Sequence, residues 1–546
     1  MTNRHAWLPR AGVLLRAGAS LQAFTSMLAS ASVRAGASVL TSAMALAVVL
    51  VLVLMLAGCA SNAVNMTSPS LDQPWTPRGD EETGLWSRAR AHPPTPEDGT
   101  AHFSIPADSA RAQLPLTKGV DPDRTYRLPE LIDLAQRTNP ATRVAWQQAR
   151  QAALAVGMVE ATYLPVISAT VIGGYQELTT PLPDLLGEPL SVDSTEQGTA
   201  QMLALQWLLF DFGQRQALAT AAKHHAIAAN ILFNGRHQQL IFEVSQAYYR
   251  YGAAIQRRGF AETALRNAEA ILAAVEARET QGLATSVESA QARQAVAQAE
   301  LRRVQAEGEE RDAYQTLLAA VGVNAALQVD ALSAASRPLP QPASAPLEAM
   351  IRQALSRRPD VAASYAALQA SQAEVQAAQA GYLPKLYAGG NLASGTGDFD
   401  LSGLPAIGQQ GSGNGLLLGV TVPLYDAGLR QAQVREAESQ AEIAADTLQR
   451  VQTAAVTEIV GARNALRTAL ESHRAASALV EAAATTYDAA LAAYRNGVGT
   501  LDAATEADTA LLDARQAQAE AHAATLIGAV NLAFVVGSLT SRDSLP

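Results

Sequence analysis

The chain has 546 residues, of which 16% are charged and only 5% aromatic, and its formal net charge is −10. Phosphate binding needs a basic surface, so nucleic acid is excluded as the main partner. So few large side chains cannot fill one thick globular core, whereas Ala-rich sequence suits thin layers of closely approaching helices.

Residues 1–58 carry four Arg and no acid, with an apolar run from Ala43 to Leu56. They read as a secretory signal, and without them the net charge is −14. The segment is long for a signal, and Met27 and Met44 are alternative starts. The only cysteine, Cys59, ends the run Leu56-Ala57-Gly58-Cys59 and leaves no partner for an internal disulfide. This tetrapeptide resembles a bacterial lipobox, which implies an acylated Cys59 at the mature N-terminus; an uncleaved signal anchor is the alternative. Stable attachment needs more than one acyl chain. Ala60 stands where an Asp would retain such a protein, so the same resemblance implies sorting to an outer membrane and contact with its lipid.

Residues 59–125 are rich in Pro, Ser, Thr and charge, as in His92-Pro93-Pro94-Thr95-Pro96, and hold no apolar period. They read as an extended or disordered arm. From Tyr126 the chain is periodic. Leu128 to Ala135 is a short helix with Pro129 in its first turn, and Pro140 starts a second helix that ends near Thr162. After Tyr163-Leu164-Pro165 the period becomes two: Ile167, Ala169, Val171 and Gly173 alternate with Ser168, Thr170, Ile172 and Gly174. Pro181, Pro183 and Gly187 predict a loop over 177–197, and a strand returns over 198–211 with Leu203, Leu205, Trp207 and Leu209 on one face. Strands of ~10–13 residues have the length a tilted strand needs to cross a bilayer, although soluble hairpins share the periodicity. An open sheet edge is forbidden in a bilayer, so four inserted strands require oligomerisation.

The strand ends at Phe210-Asp211-Phe212-Gly213, where Asp211 reads as a turn or N-cap residue. A helix of ~68 residues and ~100 Å then runs towards Gly282, with no Pro to interrupt it. Ala261, Leu265, Ala268, Leu272 and Val275 form a coiled-coil seam. A shorter helix returns over about 286–321. His224-His225, adjacent on the long helix, cannot share a face and reads as a solvated pair.

The whole unit at 126–332 recurs at 347–540, across a Pro-rich linker at 333–346 and before a tail at 541–546. Tyr382-Leu383-Pro384 repeats the first turn, and Tyr425-Asp426-Ala427-Gly428 repeats the strand-to-helix step. Gly213 and Gly428, Gly282 and Gly497, and Gly322 and Gly537 are each 215 positions apart. The Tyr-Leu-Pro steps are 219 apart, so the second copy is four residues shorter in its strands and its loop, predicted at 395–413. Loops drift in length and long helices cannot, so a constant offset over more than 100 residues marks rigid structure.

These features, in order and twice over, resemble the TolC family of outer-membrane channels, of the lipoprotein type. The resemblance covers about 126–540. It implies a mainly α fold with a small β part, in which long helical hairpins form a trimeric periplasmic α-barrel. Four strands per chain would contribute to a twelve-stranded transmembrane β-barrel in a Gram-negative outer membrane. It also implies a homotrimer that meets a periplasmic adaptor and an inner-membrane pump.

The tips of the hairpins carry the candidate docking surface for the adaptor: Gly282, Leu283, Thr285, Gly497, Val498 and Thr500. Gly ends a helix in left-handed geometry and Thr caps the next one, so turn chemistry alone accounts for these residues equally well. Asp502 and Glu506 are candidates for an acidic ring at the aperture. The family often has an Asp six residues after the tip Gly, where this chain has Ala503, so a plain acidic helix start is an equal reading. No constellation of His, Cys, Ser or carboxylates indicates an enzyme, a metal or a cofactor. Gly497-Val498-Gly499-Thr500 is similar to the branch that serves type I protein secretion, such as cyclolysin export, while the lipobox is typical of small-molecule efflux. Efflux of small toxic compounds ranks first, secretion second, and a structural coiled-coil envelope lipoprotein is the reading of another class.

Overall fold

The computed structural model describes residues 120–540, except 122, 182–190, 325–326, 332–336, 341–345 and 402–404. Cys59, the signal at 1–58, the arm up to 119, most of the linker and the tail lie outside the described residues.

The first repeat opens with β1 (Thr125–Tyr126), α1 (Leu128–Thr138) and α2 (Pro140–Ala161). The hairpin β2 (Val166–Pro181) and β3 (Ser191–Phe210) follows, then the long α3 (Gln214–Thr280) and the returning α4 (Ser286–Val321). After β4 (Gln328–Val329) the plan recurs: α5 (Leu347–Leu355), α6 (Pro359–Ala380), β5 (Lys385–Leu401), β6 (Ile407–Thr421), α7 (Leu429–Arg495) and α8 (Leu501–Val535). Both α3 and α7 have 67 residues, about 100 Å of helix. Thr125, at the end of the predicted arm, joins the fold through a parallel ladder between β1 and β4.

Helix limits fall where Pro and Gly stand. Pro140 and Pro359 each open a helix, where the missing N–H costs nothing. Gly322 and Gly537 end the returning helices at φ of +81° and +70°. Each packs on the start of a Pro-led helix: Asn139 Nδ2 donates to the Ala320 carbonyl at 3.1 Å, and Arg358 Nη1 to the Val535 carbonyl at 3.0 Å. Arg358 also holds Asp360 and Glu458 at 2.7 Å. The largest core lies beside these contacts, where Leu131 and Ile132 meet Leu240, Val244, Leu317 and Val321.

Two expectations need correction. The loops predicted at 177–197 and 395–413 are mostly strand, because pairing continues from Val166↔Gln206 to Pro181↔Ser191 and from Lys385↔Thr421 to Phe399↔Ile407. Gly there serves close approach: a Cβ on Gly397 would stand 3.0 Å from the Gln197 carbonyl oxygen. The seam of α3 is also displaced. Ala261, Ala264, Ala268, Ile271 and Val275 are buried, while Leu265 and Leu272 are half-buried. Along its length the helix packs against α2, α4, α6 and α8, so its buried face is set by several neighbours and not by one.

The four long strands form one antiparallel sheet in the order β2-β3-β5-β6. One face carries Ile167, Leu203, Leu205, Trp207, Leu392, Leu416 and Leu418. The other carries Ser168, Thr170, Ala204, Gln206, Asn391, Gly389 and Gly415. The first face also holds Gln201, Ser394 and Asn414 and the second Ile172, Met202 and Leu417, so the alternation of a strand between lipid and water is a bias and not a clean division.

Candidate functional site

Two regions carry function in this architecture, the junction of strand and helix and the far tips of the hairpins. At the first junction Phe212 and Gly213 take φ of +52° and +95°, which turns the chain from sheet into helix. A non-Gly residue in this region is held by its surroundings. The holding group is Asp211, 5% exposed, whose Oδ2 accepts from the Arg215 backbone N–H at 3.0 Å and from Arg215 Nε at 2.9 Å. Arg215 Nη1 donates onward to the Thr162 and Leu208 carbonyls at 2.9 and 2.7 Å. Its guanidinium lies 4.6 Å from the Tyr163 ring centroid. One buried arginine thus ties the end of α2, the end of β3 and the start of α3.

The second junction has the same plan with looser packing. Ala427 and Gly428 take φ of +55° and +87°. Asp426 accepts from the Gly428 and Arg430 N–H groups at 3.1 Å each and from Arg430 Nη1 at 2.9 Å. The helix N-cap positions are Gly213 and Gly428, so the two Asp side chains act as turn acceptors that reach into the first turn. The motif is therefore aromatic-Asp-x-Gly-x-Arg; the Arg went unnoticed in the sequence, although Arg215 and Arg430 keep the 215-residue offset.

At the tips, Gly282 and Gly497 take φ of +71° and +76°. Thr285 Oγ1 accepts from the Glu288 N–H at 3.2 Å, and Thr500 Oγ1 from the Ala503 N–H at 3.3 Å. The capping expectation is met at both. A Cβ on Gly499 would stand 2.9 Å from that of Ala493, so close packing requires glycine there. Arg278 joins the two tips: Nη1 donates to the Tyr494 carbonyl at 2.8 Å, and the guanidinium sits 5.0 Å from the Tyr494 ring centroid. Tyr494 is only 1% exposed, within a small core of Ile271, Val275, Ala292 and Leu501. Neither Arg278 nor Tyr494 was singled out by the sequence, because the contact crosses the two repeats.

A pair of pinned strand-to-helix junctions above long hairpins that end in bare turns is the layout of a conduit. The model of the family described as outer membrane efflux protein matches residues 131–323 and 350–538. The chain belongs to the outer membrane efflux protein family. Among curated relatives, outer membrane protein OprJ of Pseudomonas aeruginosa is 26% identical over 68% of this chain and 75% of its own length. The pyoverdine export outer membrane protein OpmQ of Pseudomonas putida is 27% identical over 81% of this chain and 93% of its own. Protein CyaE of Bordetella pertussis is 27% identical over 71% and 79% respectively. The solved structure of the Campylobacter jejuni CmeC outer membrane channel superposes with a TM-score of 0.61 at 21% identity, over 75% of this chain and 85% of its own. The TolC-like fold and the outer-membrane location follow.

In this outer membrane efflux protein, Gly282, Leu283, Thr285, Gly497, Val498 and Thr500 are all exposed, and together they form the ends of the two hairpins. Leu283, Val287 and Val498 are 63%, 64% and 84% exposed, an apolar surface at the tips. Asp502 and Glu506 are exposed one helical turn apart on α8. The acid two residues beyond them differs. Asp508 is 8% exposed and accepts from Asn267 Nδ2 of α3 at 2.7 Å, and burial pushes its carboxyl above the usual range. Burial of an acid leaves no local signature in the sequence. His225 faces Glu374 at 3.1 Å, so it is paired and not merely solvated.

Proposed function

We propose that three copies of this efflux-family protein form the outer-membrane exit duct of a tripartite export system, anchored through an acylated Cys59. A periplasmic adaptor docks on the tips at Gly282, Leu283, Thr285, Gly497, Val498 and Thr500, and an inner-membrane pump drives the cargo. One observation carries the reading. Each repeat joins a strand hairpin to a 67-residue helix through the same Asp–Arg junction, while β2 and β6 remain the outer strands of an open four-stranded sheet. An open edge is tolerated in a bilayer only when another chain pairs with it. Leu283 and Val498 close the turns through their backbone N–H groups while their side chains stand exposed, which supports a docking surface there. Asp502 and Glu506, exposed together, are the groups that would ring the aperture.

Small toxic compounds are the cargo this reading favours, in keeping with the lipobox and with the export named for OpmQ. The similarity to CyaE keeps protein secretion as the second reading. Planar-bilayer recording on the detergent-purified protein tests the duct: a trimer with stable conductance is expected, and a non-conducting coiled-coil protein overturns it. Val498→Trp and Leu283→Glu test docking; export should be lost with the amount of trimer unchanged, and normal export would remove the tips from the adaptor interface. A deletion strain separates the cargoes. Sensitivity to toxic compounds with an unchanged set of secreted proteins indicates efflux, and loss of one or a few large secreted proteins indicates secretion.

A further inference from the structure

Away from the tips and the junctions, two imidazoles meet across the second hairpin. His473 of α7 and His522 of α8 have ring centroids 5.5 Å apart, tilted by 56°. They stand 24 residues before and 25 residues after Gly497, about 36 Å up the hairpin. Both are half-buried. One turn along each helix, Gln518 Nε2 donates to Ser477 Oγ at 3.1 Å, and Ser477 Oγ donates to the His473 carbonyl at 2.8 Å, so the two helices are held in register at this height.

The hydrogen bonding selects a tautomer. His522 Nε2 lies 3.2 Å from the Arg337 carbonyl oxygen, which can only accept, so Nε2 carries the proton. The lone pair of neutral His522 is then on Nδ1. A ring N–H given to a backbone carbonyl is the outer-shell arrangement that orients metal-binding histidines. Among the described residues no hydrogen bond engages either ring nitrogen of His473, so it too keeps a lone pair to offer when neutral. Two imidazoles bound at about 2.0–2.1 Å to one tetrahedral ion place their ring centroids about 5.2 Å apart. The spacing seen here fits that geometry.

We propose that His473 and His522 form a binding site for a late transition-metal dication, Cu²⁺ first and Zn²⁺ next, which clips α7 to α8 beside the interdomain linker. Imidazole nitrogen suits these ions, and Cu²⁺ leads the affinity order. Water completes the coordination, since no group of three or more His, Cys, Asp or Glu that could hold a metal occurs among the described residues. Bound metal would stiffen the hairpin against sliding of one helix on the other.

The test uses the full lipoprotein, purified in detergent without a polyhistidine tag and titrated with CuCl₂ in a non-chelating buffer at pH 7.5. Electron paramagnetic resonance of the tightest site should show nitrogen coupling from imidazole, at one Cu²⁺ per chain. His473→Ala and His522→Ala should each weaken that site at least about tenfold, with trimer and helix content unchanged. The double variant His224→Ala/His225→Ala should retain it. Zn²⁺ should raise the thermal midpoint of the parent and of the His224/His225 variant, and not of either single variant. Equal Cu²⁺ binding by His473→Ala or by His522→Ala overturns the proposal, as does loss of the tight site in the His224/His225 variant. Neither outcome bears on the channel reading, which rests on other residues.

Discussion

At the scale of single residues the two junctions share their chemistry and differ in burial. Side chains of Arg215 and Asp211 are 8% and 7% exposed, against 30% and 23% for Arg430 and Asp426. Removing one partner of a buried pair leaves an uncompensated charge and costs ~3–5 kcal/mol. A half-buried pair stays in reach of water and loses mainly its hydrogen bonds into the first turn, ~1 kcal/mol. Asp211→Ala should therefore lower the denaturation midpoint far more than Asp426→Ala, measured in one detergent at one pH. Equal shifts would show that the first junction is not the tighter pin. The sequence made the Asp and Gly of each junction legible, since a turn between strand and helix demands them. The Arg was invisible because its partners, the Thr162 and Leu208 carbonyls and the Tyr163 ring, are supplied by the fold.

At the scale of elements, the helix limits were legible and the strand limits were not. Pro and Gly act locally at helix ends, so the helix expected over about 286–321 forms as Ser286–Val321, and Pro140 opens its helix as expected. In the strands Gly serves packing between neighbours, as at Gly395 and Gly397, so Gly-rich sequence there marks paired strand and not loop. The expected face alternation holds as far as Leu208, where the register shifts before Phe210 and takes Leu209 out of the series, and it can be tested. Leu203 lies on the apolar face with Ala169 and Leu392, and Met202 on the small-residue face with Thr170 and Ala393. An Arg on a lipid face costs ~2–4 kcal/mol near mid-membrane, while lumen positions tolerate it. Leu203→Arg should deplete trimer from the outer-membrane fraction, and Met202→Arg should leave it near the parental amount. The reverse result would invert the assignment of faces.

The helices carry a second test, at Asp508. This acid of α8 is buried against Asn267 of α3, with Tyr487 of α7 and Arg302 and Arg515 close enough to act on one another's charge. Burial raises its pKa and outweighs the Asn267 hydrogen bond and the two arginines, which pull it down. A raised carboxylate pKa means that the packed state favours the protonated form. That contribution is complete below the ordinary carboxylate pKa and is lost as pH rises through the raised value. Asp508→Asn should therefore stabilise the protein at pH 7.5 and flatten the fall in denaturation midpoint between pH 4 and pH 7.5. An unchanged slope would mean that Asp508 does not titrate in this range.

At the scale of the whole molecule, the sheet divides its charge between its ends. Glu177, Asp193, Glu196, Asp398 and Asp400 cluster near the strand turns, while Lys385 alone stands near the junctions. None of the five acids forms an ion pair among the described residues. If three copies close the barrel, this charge is repeated threefold around one mouth, and a charged mouth raises the local concentration of counter-ions. The open duct should prefer cations, read as a reversal potential across a KCl gradient. The preference should fade as the Debye length shrinks from ~10 Å at 0.1 M salt to ~3 Å at 1 M. Glu196 shares the small-residue face with Ala200 and Met202, whereas the other four acids share the face of Tyr175 and Leu203. Glu196→Gln should weaken selectivity more than Asp398→Asn, because only the former charge would lie inside the water-filled path. A channel that prefers anions, or one in which Asp398 matters more, would place the small-residue face outward. It would overturn the arrangement on which the Leu203 and Met202 variants also depend.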